Sequence, residues 1–159
     1  MAIKRLYVLR HGNAEAPTFG DDAGRNLTPL GVEEVLSSAM KFKQKGETLD
    51  QVFVSPYVRA QQTAQHFLKA INYNGVSQTT DKITPSGKAI DVALWLSNMQ
   101  ADSVLLVTHE PFASQVVDLL ADMPFPHDFM MQTATLAAVE GEILATACCK
   151  LRWVINAND

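Results

Sequence analysis

The chain has 159 residues, 47% hydrophobic and 19% charged, the balance of one globular domain rather than of a disordered segment. Its formal net charge is −4, which argues against a general binder of nucleic acid or of an anionic membrane, since both need a cationic surface. A local cationic pocket within an acidic body remains open.

Strand and helix signals alternate over the first three quarters. Residues 5–9 form an apolar run of the β type, too short for a signal-peptide core or a membrane span. Thr28 reads as an N-cap with Pro29 at the first helical position. Behind it Val32, Val35, Leu36, Ala39 and Met40 recur as on a helix buried along one face, with Gly46 as the stop. Gln51–Val54 predicts a second strand ended by Ser55-Pro56, and Val58–Ala70 a helix with Ala60, Ala64, Phe67 and Ile71 toward the core. Residues 79–84 read as a poorer strand, and Ala89, Val92, Ala93 and Leu96 mark a third helix. Ser103–Thr108 holds the unbroken run Val104-Leu105-Leu106-Val107, which suits a parallel strand covered on both faces. Phe112, Ala113, Val116, Val117 and Leu120 give a fourth helix, and Pro124 and Pro126 break the chain into a loop. Residues 135–139, a turn at Glu140-Gly141-Glu142 and residues 143–149 predict a terminal hairpin. The only cysteines, Cys148 and Cys149, would point to opposite faces of its second strand and form neither a disulfide framework nor a zinc site. The alternation implies a single α/β domain over residues 1–159, a mainly parallel sheet flanked by helices with an antiparallel edge. A cytoplasmic protein is expected.

Three of the apolar strands end in polar groups: Arg10-His11-Gly12, Ser55-Pro56 with Arg59 one turn later, and Thr108-His109-Glu110. In open α/β sheets ligands bind outside the carboxyl ends of the strands, so two His and two Arg are expected to meet at one edge. Each alone has a structural reading; together they suit an oxyanion. Guanidinium groups are flat donor forks that match phosphate oxygens, and imidazole is a nucleophile near neutral pH because much of it is unprotonated. Gly12 would let backbone approach the ligand without a Cβ in the way. Backbone donors at the start of the helix after His109 add positive potential. An oxyanion site with a nucleophile inside it points to phosphoryl transfer.

Arg10-His11-Gly12, Ser55-Pro56-x-x-Arg59-Ala60-x-Gln62-Thr63-Ala64 and Val107-Thr108-His109-Glu110-Pro111 resemble, in order and spacing over residues 4–120, the histidine phosphatase superfamily. That resemblance implies a three-layer, phosphoglycerate mutase-like sandwich. The small size and the segment Asp22-Ala23-Gly24-Arg25-Asn26-Leu27-Thr28-Pro29 are most similar to the short phosphohistidine phosphatases of the SixA type. By resemblance His11 carries the phosphoryl group, Arg10, Arg59 and His109 form the phosphate pocket, and Arg25 is an added clamp with Asp22. Gly12, Ser55 and Glu110 complete the expected substrate-binding set. The plainer reading of Asp22 and Arg25 is a solvated loop ion pair. The resemblance implies hydrolysis of phosphohistidine on proteins such as phosphotransfer domains, phosphate or other oxyanions in the pocket, no metal or organic cofactor, and a monomer that binds neither nucleic acid nor membrane.

One departure bears on substrate. Many larger members place a general-acid carboxylate in the segment that here reads Thr80-Asp81-Lys82-Ile83-Thr84-Pro85, with Lys82 at the point of interest. Alkyl and sugar phosphates need their leaving oxygen protonated, whereas the imidazole of phosphohistidine leaves more readily. A small-molecule phosphomonoesterase or mutase is the alternative, and a non-catalytic phosphate-binding module a third reading. Residues 84–88 fail as a P-loop, because position 82 is Lys rather than Gly and Ala89 follows Lys88. His66 and His127, the latter beside Asp128, lack partners at metal-ligand spacing. Trp95 and Trp153 read as packing residues, and Met130-Met131 as loop packing near the site.

Overall fold

The computed structural model describes residues 3–17, 20–126 and 129–159, so His127 and Asp128 lie outside the described residues. Strand β1, Lys4–Arg10, is the spine. It points Leu6 and Val8 to one side and Tyr7 and Leu9 to the other, all four fully buried, and each side gathers its own core. Tyr7 and Leu9 pack with Val35, Ala39 and Phe42 of α1 (Pro29–Gln44) and Ala60, Ala64 and Phe67 of α2 (Val58–Ala70). Leu6 and Val8 pack with Val92 and Leu96 of α3 (Ala89–Ser97) and with Phe112, Val116 and Leu120 of α4 (Phe112–Leu120). A strand buried on both faces needs an apolar residue at every position, which is why β1 and β4 (Ser103–Thr108) read as continuous apolar runs.

With β2 (Gln51–Val54), β3 (Ser77–Thr79), β5 (Leu136–Gly141) and β6 (Lys150–Ile155) the sheet has the order β3-β2-β4-β1-β5-β6. The first four are mutually parallel; β5 runs antiparallel to β1 and pairs with β6 as an antiparallel edge. The expected α/β sandwich with a mainly parallel sheet is what forms. No helix among the described residues is long and apolar enough to cross a membrane.

Three local expectations are corrected. The buried face of α1 is Gly31, Glu34, Val35, Ser38, Ala39 and Phe42, not the stripe through Leu36 and Met40, which are exposed. Polar residues sit on the inner face because they are satisfied there: Glu34 accepts from the Asn13 amide and the Thr133 hydroxyl, and Ser38 donates to Ala134 O. Residues 79–84 are not a strand. β3 ends at Thr79, and the Thr80 hydroxyl accepts from Lys82 N–H to start a single 3-10 turn, Asp81–Ile83, which buries Ile83. Residues 143–149 are not the second hairpin strand either. Ala147 and Cys149 donate their amides to Leu119 O and Leu120 O at the end of α4, so the segment is tied to the helix and the strand forms later, as β6. Cys148 is therefore a loop residue, exposed, with Cys149 buried.

Candidate active site

Parallel pairing brings the chemistry together. Arg10 is in register with Thr108, the His11 amide donates to Thr108 O at 3.0 Å, and the Ser55 amide donates to Val107 O at 3.1 Å. The chain therefore leaves β1, β4 and β2 at one edge, with His11, His109 and Ser55 on neighbouring exits and Arg59 in the first turn of α2 facing them. The rings of His11 and His109 lie 5.3 Å apart, centroid to centroid.

His11 is buried and doubly held. Its Nδ1 lies 2.7 Å from Gly12 O, and its Nε2 lies 3.3 Å from Arg59 Nε. A carbonyl only accepts and a guanidinium N–H only donates, so Nδ1 carries the proton and Nε2 the lone pair. Burial is the main force on its pKa, pulling it down to about 4; the Gly12 carbonyl opposes, while Arg59, Arg10 and Arg25 reinforce the fall. The imidazole is neutral at neutral pH.

His109 is pulled to about 3, first by burial, then by His11 and Arg59, with Asp22 opposing and Arg10 adding to the fall. Its Nε2 is hydrogen-bonded to Ser55 Oγ at 2.7 Å, and that hydroxyl also accepts from the Tyr57 amide at 3.3 Å. Three buried side-chain polar atoms among the described residues have no protein partner, and two belong to this cluster: Arg10 Nε and His109 Nδ1.

Arg59 is buried to 4% exposure. It donates through Nη1 to Asp22 O at 2.7 Å and through Nη2 to Asp22 Oδ2 at 3.3 Å, and its guanidinium rests 4.9 Å from the Tyr57 ring. Arg25 donates through Nε to Asp22 Oδ1 at 3.0 Å and through Nη1 to Glu15 O at 2.8 Å. Asp22 and Arg25 thus do form a loop ion pair, but Asp22 also joins it to Arg59. Burial works upward on the Asp22 carboxyl, yet Arg59 and Arg25 together hold it below the ordinary carboxylate range. Burial lowers the proton affinity of Arg10 and of Arg59, with Glu110 and Asp22 respectively opposing it. Guanidinium groups stay charged under such shifts.

A Cβ on Gly12 would lie 2.6 Å from Gly31 O and 2.9 Å from Val35 Cγ2, so this glycine is required for close packing of the loop on α1. One sequence expectation changes. Glu110 does not offer its carboxylate to a substrate. Oε1 accepts from the Ser114 amide at 2.7 Å, and Oε2 accepts from the Ser114 hydroxyl at 2.6 Å and the Met131 amide at 3.0 Å. Lys82 Nζ lies over the Trp95 ring, 5.9 Å from its centroid. Among the described residues no three His, Cys, Asp or Glu gather as a metal site.

The sequence reading missed four contributors. Thr63 accepts the Gly12 amide at 3.1 Å; its position four residues after Arg59, on the same side of α2, was the available signal. Tyr57 packs edge-on to His109 at 5.0 Å, with no sequence mark beyond an aromatic beside Ser55-Pro56. Glu34 anchors the Asn13 amide at 2.9 Å, and a carboxylate one turn after Gly31 was its sign. Met131 contributes its carbonyl, which accepts from Arg10 Nη1 at 2.7 Å, and a backbone acceptor has no sequence signature.

A profile of the histidine phosphatase superfamily (branch 1) matches residues 6–82. A phosphohistidine phosphatase SixA homolog of Haemophilus influenzae is 32% identical over 80% of this chain and 84% of its own. Phosphohistidine phosphatase SixA of Escherichia coli is 29% identical, over 85% and 84%. The solved structure of the protein histidine phosphatase SixA complexed with tungstate superposes with a TM-score of 0.85 at 25% identity, covering 97% of each chain. Strand-end motifs, topology and relatives agree: the chain is similar to proteins of the SixA type and belongs to the histidine phosphatase superfamily.

Proposed function

We propose that this protein is a phosphohistidine protein phosphatase that works through a phosphoryl group carried transiently on His11 Nε2, without a metal. The observation that carries the reading is the state of His11. Its proton is confined to Nδ1 by Gly12 O, and its lone pair sits on Nε2 beside Arg59, so the nitrogen needs no general base before attack. Arg10, Arg59 and Arg25 supply the positive charge for phosphoryl oxygens, and the unpartnered Arg10 Nε and His109 Nδ1 are groups that an oxyanion would satisfy.

In the first step Nε2 forms a bond to phosphorus as the bond to the substrate nitrogen breaks. The substrate imidazole departs neutral when its other ring nitrogen carries a proton. Water then attacks phosphorus, one of its protons goes to solvent as the N–P bond breaks, and inorganic phosphate leaves with His11 neutral again. Asp22 is a poor acid for this chemistry because its two arginine partners keep it ionised. That disfavours alcohol and sugar leaving groups and favours imidazole, as do the names of the two relatives. The Asp22 side chain is 54% exposed, so a histidine presented on another protein, such as a phosphotransfer domain, can come up to the arginine cluster.

The test is phosphate release from a panel of phosphohistidine-bearing proteins beside sugar and alkyl phosphates. Turnover of the phosphohistidine proteins alone is the expected result. Faster turnover of the sugar phosphates would replace this reading with a small-molecule phosphomonoesterase.

A further inference from the structure

The Arg10 side chain is long, and such a chain loses rotamer freedom when it is fixed, so a donor that must wait in one place needs an outside hold. The hold is at Nη1, which donates to Met131 O at 2.7 Å. Met131 is fixed by what binds its own amide: Glu110 Oε2 at 3.0 Å and Ser114 Oγ at 3.1 Å. Glu110 is clamped in turn, since Oε1 accepts from the Ser114 amide at 2.7 Å and Oε2 from the Ser114 hydroxyl at 2.6 Å. The Met131 side chain, 1% exposed, is locked into the core below. Every bond from the first turn of α4 to the tip of β1 is present, and the carboxylate is its central member.

Resting on the reading of Arg10 as a phosphate ligand, we propose that Glu110 is a positioning residue for Arg10, acting through Ser114 and the Met131 backbone. Two effects combine. The carboxylate orients Met131 so that its carbonyl captures Nη1, which leaves Arg10 Nε, buried and without a protein partner, for an oxyanion. Its negative charge also offsets part of the burial penalty on the Arg10 cation. Simple capping of α4 accounts for the Ser114 bonds only; the bond to Met131, which reaches across to the loop that holds Arg10, is outside any capping role.

The experiment is a double-mutant cycle on the full chain, read by tungstate affinity in calorimetry and by kcat/KM on an aryl phosphate. Glu110→Ala is expected to weaken tungstate and lower kcat/KM tenfold or more. The same change in an Arg10→Ala background is expected to add less than twofold. Glu110→Gln keeps an acceptor for Ser114 but lacks the charge and one acceptor oxygen, so it carries the test if the alanine variant fails to fold; a smaller loss, again absent without Arg10, is its expected result. Tungstate binding unchanged in the folded Glu110 variants, or a loss that persists undiminished in the Arg10→Ala background, overturns the positioning role. If Arg10→Ala itself binds tungstate as wild type does, the assignment of Arg10 fails, a result distinct from an intact Arg10 effect with a silent Glu110.

Discussion

Arg59 Nε lies 3.3 Å from His11 Nε2, with its N–H directed at the lone pair that attacks phosphorus in the proposed reaction. The same guanidinium grips Asp22 through both of its other nitrogens. A phosphoryl group bonding to Nε2 must enter where that N–H···N contact now lies. Arg59 then exchanges one ring nitrogen for phosphoryl oxygens that gather charge in the transition state, without leaving the Asp22 side of the site.

Arg59→Lys therefore keeps the charge but cannot serve His11 and Asp22 together. A loss on the order of 10²-fold in kcat/KM is expected, by comparison with removal of an oxyanion-hole donor. Steady-state kinetics on an aryl phosphate measures it, and a variant within a few-fold of wild type would move the clamp elsewhere.

His11→Ala should abolish turnover and leave the fold standing, because the residue lies beyond the end of β1 and outside both cores. Wild-type protein quenched in base during turnover should hold acid-labile phosphate at His11. The variant should hold none while giving an unchanged far-ultraviolet dichroism spectrum.

Asp22→Asn should leave phosphohistidine hydrolysis within about a factor of ten, below the 10²–10⁴ typical of a working general acid. Rates on a series of phosphorylated leaving groups should fall steeply as leaving-group pKa rises. A flat series that turns steep in the variant would identify Asp22 as a competent acid.

Both site histidines are held below the ordinary value near 6.5, at about 4 for His11 and about 3 for His109, burial being the first cause in each. The unfolded chain then binds protons that the native state refuses, so stability is full above about pH 6.5 and falls as pH drops toward these lower values. At pH 5 the loss is on the order of 2 kcal/mol per histidine. Tm should be lower at pH 5 than at pH 7, with part of the slope removed in His109→Gln, and imidazole nitrogen shifts should report both rings neutral at pH 6.

Gly31→Ala sets two effects against each other. Alanine is favoured over glycine inside a helix by about 1 kcal/mol. The new Cβ, however, would overlap the Asn13 carbonyl oxygen, which is backbone and cannot swing aside. Overpacking at about 1–3 kcal/mol wins, so the variant should denature at lower urea concentration and lose activity with it.

How much could be read from the residues varied with where their partners lie. β1, β4 and the Thr28-Pro29 helix start were legible because each is declared by neighbours in sequence: apolar residues on two buried faces, or a cap hydroxyl that accepts from Gly31 N–H. The face of α1 was misread because Glu34 and Ser38 find their partners at Asn13, Thr133 and Ala134, remote in sequence. Residues 143–149 were misread for the same reason, their amides being used by the end of α4. The strand-end motifs of the site stood out because α/β topology gathers strand ends. The tie from Asp22 to Arg59 and the bond from Arg10 to Met131 did not, since they depend on how loops fall across the sheet edge.

The contact of Gly12 with Gly31 gives His11, the proposed nucleophile, a stiff back wall. Main chain meets main chain there, the Gly12 carbonyl holds the imidazole at Nδ1, and the Gly12 amide is pinned to Thr63. On the opposite side the ring faces Arg59, whose anchor Asp22 is open to solvent. In the proposed reaction the volume added at Nε2 meets main chain behind the ring, so recoil is expected outward through Arg59 toward Asp22. In the proposed phosphorylated state the displacement is expected in residues 20–25 rather than in α1.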